Sequence, residues 1–187
     1  MQISELVLDK YKLTENEVNH TMSAYSPMTL KANQFFLKEG DICNYIGFVK
    51  EGLLRSYFYD DHANEIITEF YPEGSLVISF DSFNNRVPSR ENIKSIVDSE
   101  LMIIKYEKQK ELYEMIPAWN QICKDLADMI SQEMIERASR FQTMSATERY
   151  RLFCKENPTI LQRATLGHIA SYLGIDIATL SRIRKKK

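Results

Sequence analysis

LGHIASYLGIDIATLSRIRKKK, residues 166–187, reads as two short helices joined by a tight turn. The first spans Leu166–Leu173. Gly174 stands where a chain leaving a helix needs positive φ. Asp176 is a natural N-cap for a second helix that begins at Ile177. Ile169, Ala170 and Leu173 face inward from the first helix. Leu180 and Ile183, three apart, face inward from the second, and Ile175 plugs the turn. Ala170 and Gly174 are four apart and Leu180 follows six later, which is helix-turn-helix spacing. The outward residues are then Ile177, Ala178, Ser181, Arg182 and Lys185. In a major groove the Arg182 fork matches guanine O6 and N7, and Ile177 and Ala178 offer apolar contact to a thymine methyl. Ser181 and Thr179 would donate to base or phosphate, while Arg184 and Lys185 through Lys187 would neutralise phosphates. An ordinary αα-hairpin with a solvated basic end is the alternative this pattern leaves open.

The charge distribution points the same way. The whole chain of 187 residues carries 24 basic and 26 acidic side chains, a net charge of −2. Between Ser145 and Lys187, however, nine basic residues face three acidic ones, which leaves 15 against 23 in residues 1–144. Only the C-terminal end is therefore suited to a polyanion such as double-stranded DNA. With 44% hydrophobic and 27% charged residues the chain can bury a core, and 11 Gly and Pro residues exclude a collagenous or linker-dominated protein. No apolar run approaches the roughly 20 residues that span a bilayer. The N-terminus, MQISELVLDK, lacks the basic and apolar regions of a signal peptide, so the expectation is a cytoplasmic protein without membrane association. Cys43, Cys123 and Cys154 form no CxxC and read as reduced thiols.

Upstream, residues 1–25 read as helical, with Thr14 and Glu17 at capping-box spacing. From about Leu30 to Tyr106 the segments NQFFL, YIGFV, LLRSYFY, EIITEFY, SLVISF, ENIKSIV and ELMIIKY read as short strands between turn signals, an antiparallel sandwich, barrel or roll. After Tyr106 a helical period takes over. Ala118–Met144 carries no Gly or Pro, and a helix of that length reaches about 40 Å. Trp119, Ile122, Leu126, Met129, Ile130, Glu133 and Arg137 mark its stripe. Heptad-like spacing offers a homodimer seam, with one-sided packing on the roll as the alternative. Ser145 breaks the pattern, Thr147 and Glu148 start a fresh helix through Lys155, and Asn157-Pro158 ends it. The fold class is α+β, in three parts: a helix and β-roll over 1–117, a long helix over 118–145, and a helix-turn-helix over 146–187.

This assembly resembles the Crp/Fnr family of transcription regulators over nearly the whole chain. HIASYLGIDIATLSRIRKK is the most specific part and is similar to the shortened regulators of Bacteroidetes. NYIGFVKEGLLRSYFYDDHANEIITEFYPEGS resembles the first part of the family's cyclic-nucleotide-binding-type β-roll. The resemblance implies a homodimer along the long helix and DNA half-sites about one turn apart. It also implies a ligand pocket, with Ser79, Phe80, Ser89, Arg90, Met134 and Ile135 at its positions. The family's cyclic AMP cassette uses a Glu for the ribose and an Arg-Ser pair for the phosphate. Here the stretch is GSLVISFDSFNNRVPSRENIKSI, with Ser79 at the Glu position and the pair reversed as Ser89-Arg90. The long-helix Thr-Ser pair falls on Met134 and Ile135, which are apolar. The expectation is a roll that does not bind cyclic AMP, and that senses another small-molecule effector or serves as scaffold and RNA polymerase contact.

Nothing in the chain reads as catalysis. There is no Gly-rich phosphate loop, no HExxH and no G-x-S-x-G, and His20, His62 and His168 are isolated. No metal or cofactor is expected. The functional expectation is a dimeric, sequence-specific DNA-binding regulator. A small-molecule-binding module without a DNA role is the alternative.

Overall fold

Residues 10–185 are described by the computed structural model of the chain. The part of the expected N-terminal helix in residues 1–9 lies outside them. The helix is broken at Lys12, whose φ is +50°. It resumes as α1 (Glu15–Ala24), capped by Thr14 and Glu17, each side chain bonded to the other's backbone N–H. The helical reading to residue 25 stops short here: Tyr25–Leu30 is strand β1, which the sequence alone did not reveal. Pro27 argues against an interior strand. It is accommodated because β1 lies at a sheet edge, bonded on one side only, to β8.

The remaining strands are β2 (Phe35–Leu37), β3 (Tyr45–Glu51), β4 (Leu54–Tyr59), β5 (Glu65–Tyr71), β6 (Leu76–Val77), β7 (Asn92–Ser95) and β8 (Ser99–Lys105). They form two antiparallel four-stranded sheets, ordered β1-β8-β3-β6 and β2-β7-β4-β5. The first core packs between the sheets around Leu37, Val49, Leu54, Val77, Ile93 and Leu101. SLVISF is not all strand. β6 ends at Val77, and Ser79 precedes a short helix, α2 (Phe80–Asn85), which Arg86 ends in the left-handed region at φ +55°.

The helical stretch after Tyr106 is two helices. Pro117 cannot continue a helix, so α3 (Tyr106–Met115) stops before it and α4 (Trp119–Thr143) starts after it. Trp119 and Ile122, at the start of α4, are buried with Ile104, Leu112 and Ile116 in a core of the chain's own making. Beyond Leu126 the side chains of Met129, Met134 and Ile135 are exposed, while Arg137 still reaches the roll. At its end Met144 and Ser145 are both extended, with ψ 140° and 161°. Ser145 and Glu148 then form the capping box of α5 (Ala146–Glu156). Asn157 caps α5, but Pro158 does more than end it: its fixed φ opens a further helix, α6 (Pro158–Arg163), at the first position. α7 (Leu166–Tyr172) and α8 (Ile177–Lys185) follow.

The C-terminal helices do not stand apart from the roll. Leu53, Tyr57, Ile67 and Phe70 of the second sheet share one apolar core with Phe153, Ile160, Ile169, Ala170, Leu173 and Leu180. Among the described residues no helix is long and apolar enough to cross a membrane.

Candidate nucleic-acid interface

The turn between α7 and α8 is built by backbone hydrogen bonds and one carboxylate. Thr165 caps α7 by accepting from the His168 amide. At the other end the Gly174 amide donates to Ser171 O and the Ile175 amide to Ala170 O, each at 3.0 Å, so the last carbonyls of α7 are satisfied. Gly174 has φ +64°, and a β-carbon there would come within 2.9 Å of the Phe141 ring. The backbone therefore favours glycine, and any larger residue would also have to displace the Phe141 ring. Asp176 caps α8, accepting from the Thr179 amide at 2.8 Å and the Thr179 hydroxyl at 2.7 Å. These two bonds hold its carboxyl below the usual carboxylate range.

This framing sorts the faces of α8. Leu180 is fully buried, and Ile175 and Ile183 are half-buried. Ile177, Ala178, Arg182, Arg184 and Lys185 are exposed, Ile177 at 54%, and Thr179 and Ser181 are partly covered. Arg182 folds back on its own helix: Nε donates to Ala178 O at 3.3 Å and Nη2 to the Thr179 hydroxyl at 2.9 Å. Arg149 closes the unit from below. Its guanidinium donates to Leu173 O at 3.1 Å and Met144 O at 2.8 Å and lies 4.8 Å over the Phe141 ring.

α7 is docked on β5, the edge strand of the second sheet. The Ile67 amide donates to Ser171 Oγ and the Ser171 hydroxyl donates to Glu65 O, both at 2.9 Å. Phe70, Phe153 and Tyr172 form an aromatic triangle with centroids 5.1–6.3 Å apart. Arg163 donates to Gly52 O at 3.0 Å and pairs with Glu73. Ser171 and Tyr172, which make these contacts, carry no motif. Their only signal in the sequence is a polar and an aromatic residue on a helix whose other faces are accounted for.

His168 sits in this junction beside Glu65, at 3.9 Å, with Nδ1 buried and unpartnered. Glu65 is engaged by the buried Arg55 at 2.6 Å. Burial, followed by the positive charges of Arg55 and Lys94, lowers the His168 pKa, while Glu65 opposes them. A histidine lowered in the folded state takes up its proton more readily when unfolded. Its contribution is therefore fully present above the ordinary imidazole value of about 6.5 and is lost as pH falls below it. The stability difference between the native chain and His168→Gln is expected to shift against the native chain from pH 7.5 to 5.5. Urea midpoints for the two proteins read this directly. A shift in its favour would mean that Glu65 captures the proton as an ion pair.

Of the positions implied for a ligand pocket, the structure brings Ser79 and Ser89 together. Ser79 and Ser89 are buried and face each other, Oγ to Oγ 3.4 Å, and Phe80 packs on the roll core. Arg90 is exposed. Met134 and Ile135 are 57% and 62% exposed on α4. A carboxylate, Glu91, sits near the serines. Burial raises its pKa, with the Ser79 and Ser56 hydroxyls opposing.

Of the expected seam residues, Trp119 and Ile122 are consumed by the chain's own core, and Leu126 packs against it. Met129 and Glu133 are exposed and Ile130 half-buried. Arg137 turns toward the roll, where it donates to Thr68 O and to Glu69 Oε2. Among the described residues no three His, Cys, Asp or Glu side chains group as metal ligands would.

Against known proteins, residues 27–115 match the cyclic nucleotide-binding domain. No curated protein sequence matches the chain. Solved structures share its fold from end to end. The c-di-GMP-responsive global regulator CLP of Xanthomonas campestris superposes with TM-score 0.72 at 15% identity, over 92% of this chain and 91% of that one. FixK2 of Bradyrhizobium japonicum gives 0.71 at 17%, over 87% and 83%. A Eubacterium rectale protein assigned to the Crp/Fnr transcription regulators gives 0.75 at 18%, over 96% and 85%.

Proposed function

We propose that this chain, a cyclic nucleotide-binding domain at residues 27–115 within the fold of Crp/Fnr regulators, is a dimeric transcription regulator that reads double-stranded DNA with α8. The observation that carries the reading is the division of α8. Its inner face is locked by Leu180, while Ile177, Ala178, Arg182, Arg184 and Lys185 are left facing outward. Arg182 must release Ala178 O and the Thr179 hydroxyl to reach a base, which is a local rotamer change. The chain divides in function into roll (1–117), dimer helix (118–145) and DNA unit (146–187).

The second copy lies along the uncovered part of α4. Trp119 and Ile122 are already buried, so the seam falls on Ala127, Ser131, Met134 and Ala138. These are spaced four, three and four apart, with Ile135 beside them. Three of the four are small, which allows close approach of the helices. Two copies of α8 related by this axis would meet half-sites one DNA turn apart.

On this reading the roll does not hold cyclic AMP. A buried phosphate needs a charge-assisted donor, and Arg90 is exposed while the Glu91 carboxyl is the group beside Ser79 and Ser89.

Selection from random duplex DNA by the purified chain, with and without cyclic AMP, tests all of this. The expected outcome is an enriched palindrome with half-sites about 10 base pairs apart, unchanged by cyclic AMP. Arg182→Ala is expected to cost about 1–3 kcal/mol on the selected site and far less on random DNA. Equal loss on both would make Arg182 a phosphate contact, and no enrichment would refute the reading.

A further inference from the structure

We infer that Glu69, Arg137 and Tyr172 are positioning residues that lock the DNA-reading unit to the roll and so set the half-site spacing the dimer accepts. This inference rests on the DNA-binding reading above. The three side chains come from three different parts of the chain: β5, α4 and α7. The Arg137 guanidinium donates to Glu69 Oε2 at 3.1 Å and to Thr68 O, and lies 4.2 Å over the Tyr172 ring. The Tyr172 hydroxyl donates to the other carboxyl oxygen of Glu69 at 3.4 Å. One arginine thus holds strand β5, long helix α4 and α7 of the DNA unit together. Charge-assisted hydrogen bonds and a stacked guanidinium are directional, so they fix angles as well as distances.

The need for such a lock follows from the connection. Met144 and Ser145, both extended, form the chain connection between α4 and α5, a pivot bridged by the Arg140–Glu156 ion pair at 2.8 Å and by Arg149 stacked on Phe141. If the seam is on α4, any rotation about that pivot moves one α8 relative to its mate. The position of α8 then depends on how the C-terminal helices seat on the roll: the shared apolar core and Arg163 hold them there, and Ser171 with this triad adds the directional bonds between α7 and β5. The grip leaves the outward face of α8 open, so it presents the helix rather than hiding it. An orientation set before binding spares the cost of ordering it on DNA.

The test uses the full chain and two near-isosteric variants, Glu69→Gln and Tyr172→Phe. Each is measured against duplexes carrying the selected half-sites at the native spacing and at spacings longer and shorter by one and two base pairs, and against random duplex. The expected result is about a tenfold loss at the native spacing, a flattened spacing profile and unchanged random-DNA binding. Loss of equal size at every spacing would reduce the triad to general stability and overturn the inference, as would an unaltered profile or tighter binding. If the native chain selects no sequence, the DNA reading fails by itself, and exchange of the Leu173 amide decides the lock. Faster exchange in both variants upholds the grip on α7, and unchanged exchange removes it.

Discussion

Leu180→Ala is expected to lower the free energy of unfolding by about 2–5 kcal/mol, the cost of deleting a fully buried leucine without collapse of the cavity. Leu180 has no exposed surface, and its core includes Ile169, Leu173 and Phe153 of the C-terminal helices together with Leu53, Tyr57, Ile67 and Phe70 of the roll. The cavity would therefore open at the junction, not in an isolated four-helix unit. Urea unfolding followed by Trp119 fluorescence and by far-ultraviolet circular dichroism should shift as one transition. Trp119 lies in the core between α4 and the roll, remote in sequence from Leu180, so its signal reports whether the damage travels. Separate transitions, with the Trp119 signal unmoved, would show that the DNA unit melts alone and that the shared core does not couple it. Met129→Ala, on an exposed site, is the control and should change stability by no more than about 0.5 kcal/mol.

Met134→Glu is expected to leave the monomer folded and to abolish the dimer. The side chain is more than half exposed, so a carboxylate there is hydrated in the single chain. In a two-fold pair of α4 helices, position 134 meets its own mate or lies beside it, and two glutamates at a dry seam repel and lose their water. Sedimentation at micromolar concentration should move from dimer to monomer mass. The joined half-sites then bind as independent ones, and affinity for the full palindrome should fall by about 10²–10⁴-fold. Affinity for a single half-site should be unchanged. A dimer that persists in Met134→Glu would place the seam elsewhere on α4.

Several features were legible from sequence because local chemistry decides them. The capping pair Thr14 and Glu17 is three apart, and a helix start needs only those two side chains; Ser145 and Glu148 have the same spacing, but the sequence reading starts that helix at Thr147. Gly174 and Asp176 likewise fix the α7–α8 turn through bonds that span at most five residues. The spacing of Ile169, Ala170, Leu173 and Leu180 gave the inner face of the helix pair, and all four are buried. The strands of the roll announced themselves by β-branched and aromatic runs between turns. β1 did not, since Pro27 is admissible only at an edge, and which strand lies at an edge is a property of the assembled sheet.

What the tertiary structure decided is which of two partners each ambiguous side chain takes. A helical stripe states that Trp119, Ile122 and Arg137 share a face, but it does not say whether roll or second copy covers it. Here the roll takes all three, moving the uncovered face to Met134 and its neighbours. Ser171 and Tyr172 are unremarkable in sequence because their partners, Glu65, Ile67 and Glu69, lie 103–106 residues away. Sequence alone determined the short-range elements, where every interacting group lies within a few residues. Contacts across a hundred residues depend on how two folded surfaces meet, and that is what joined the reading helix to the roll.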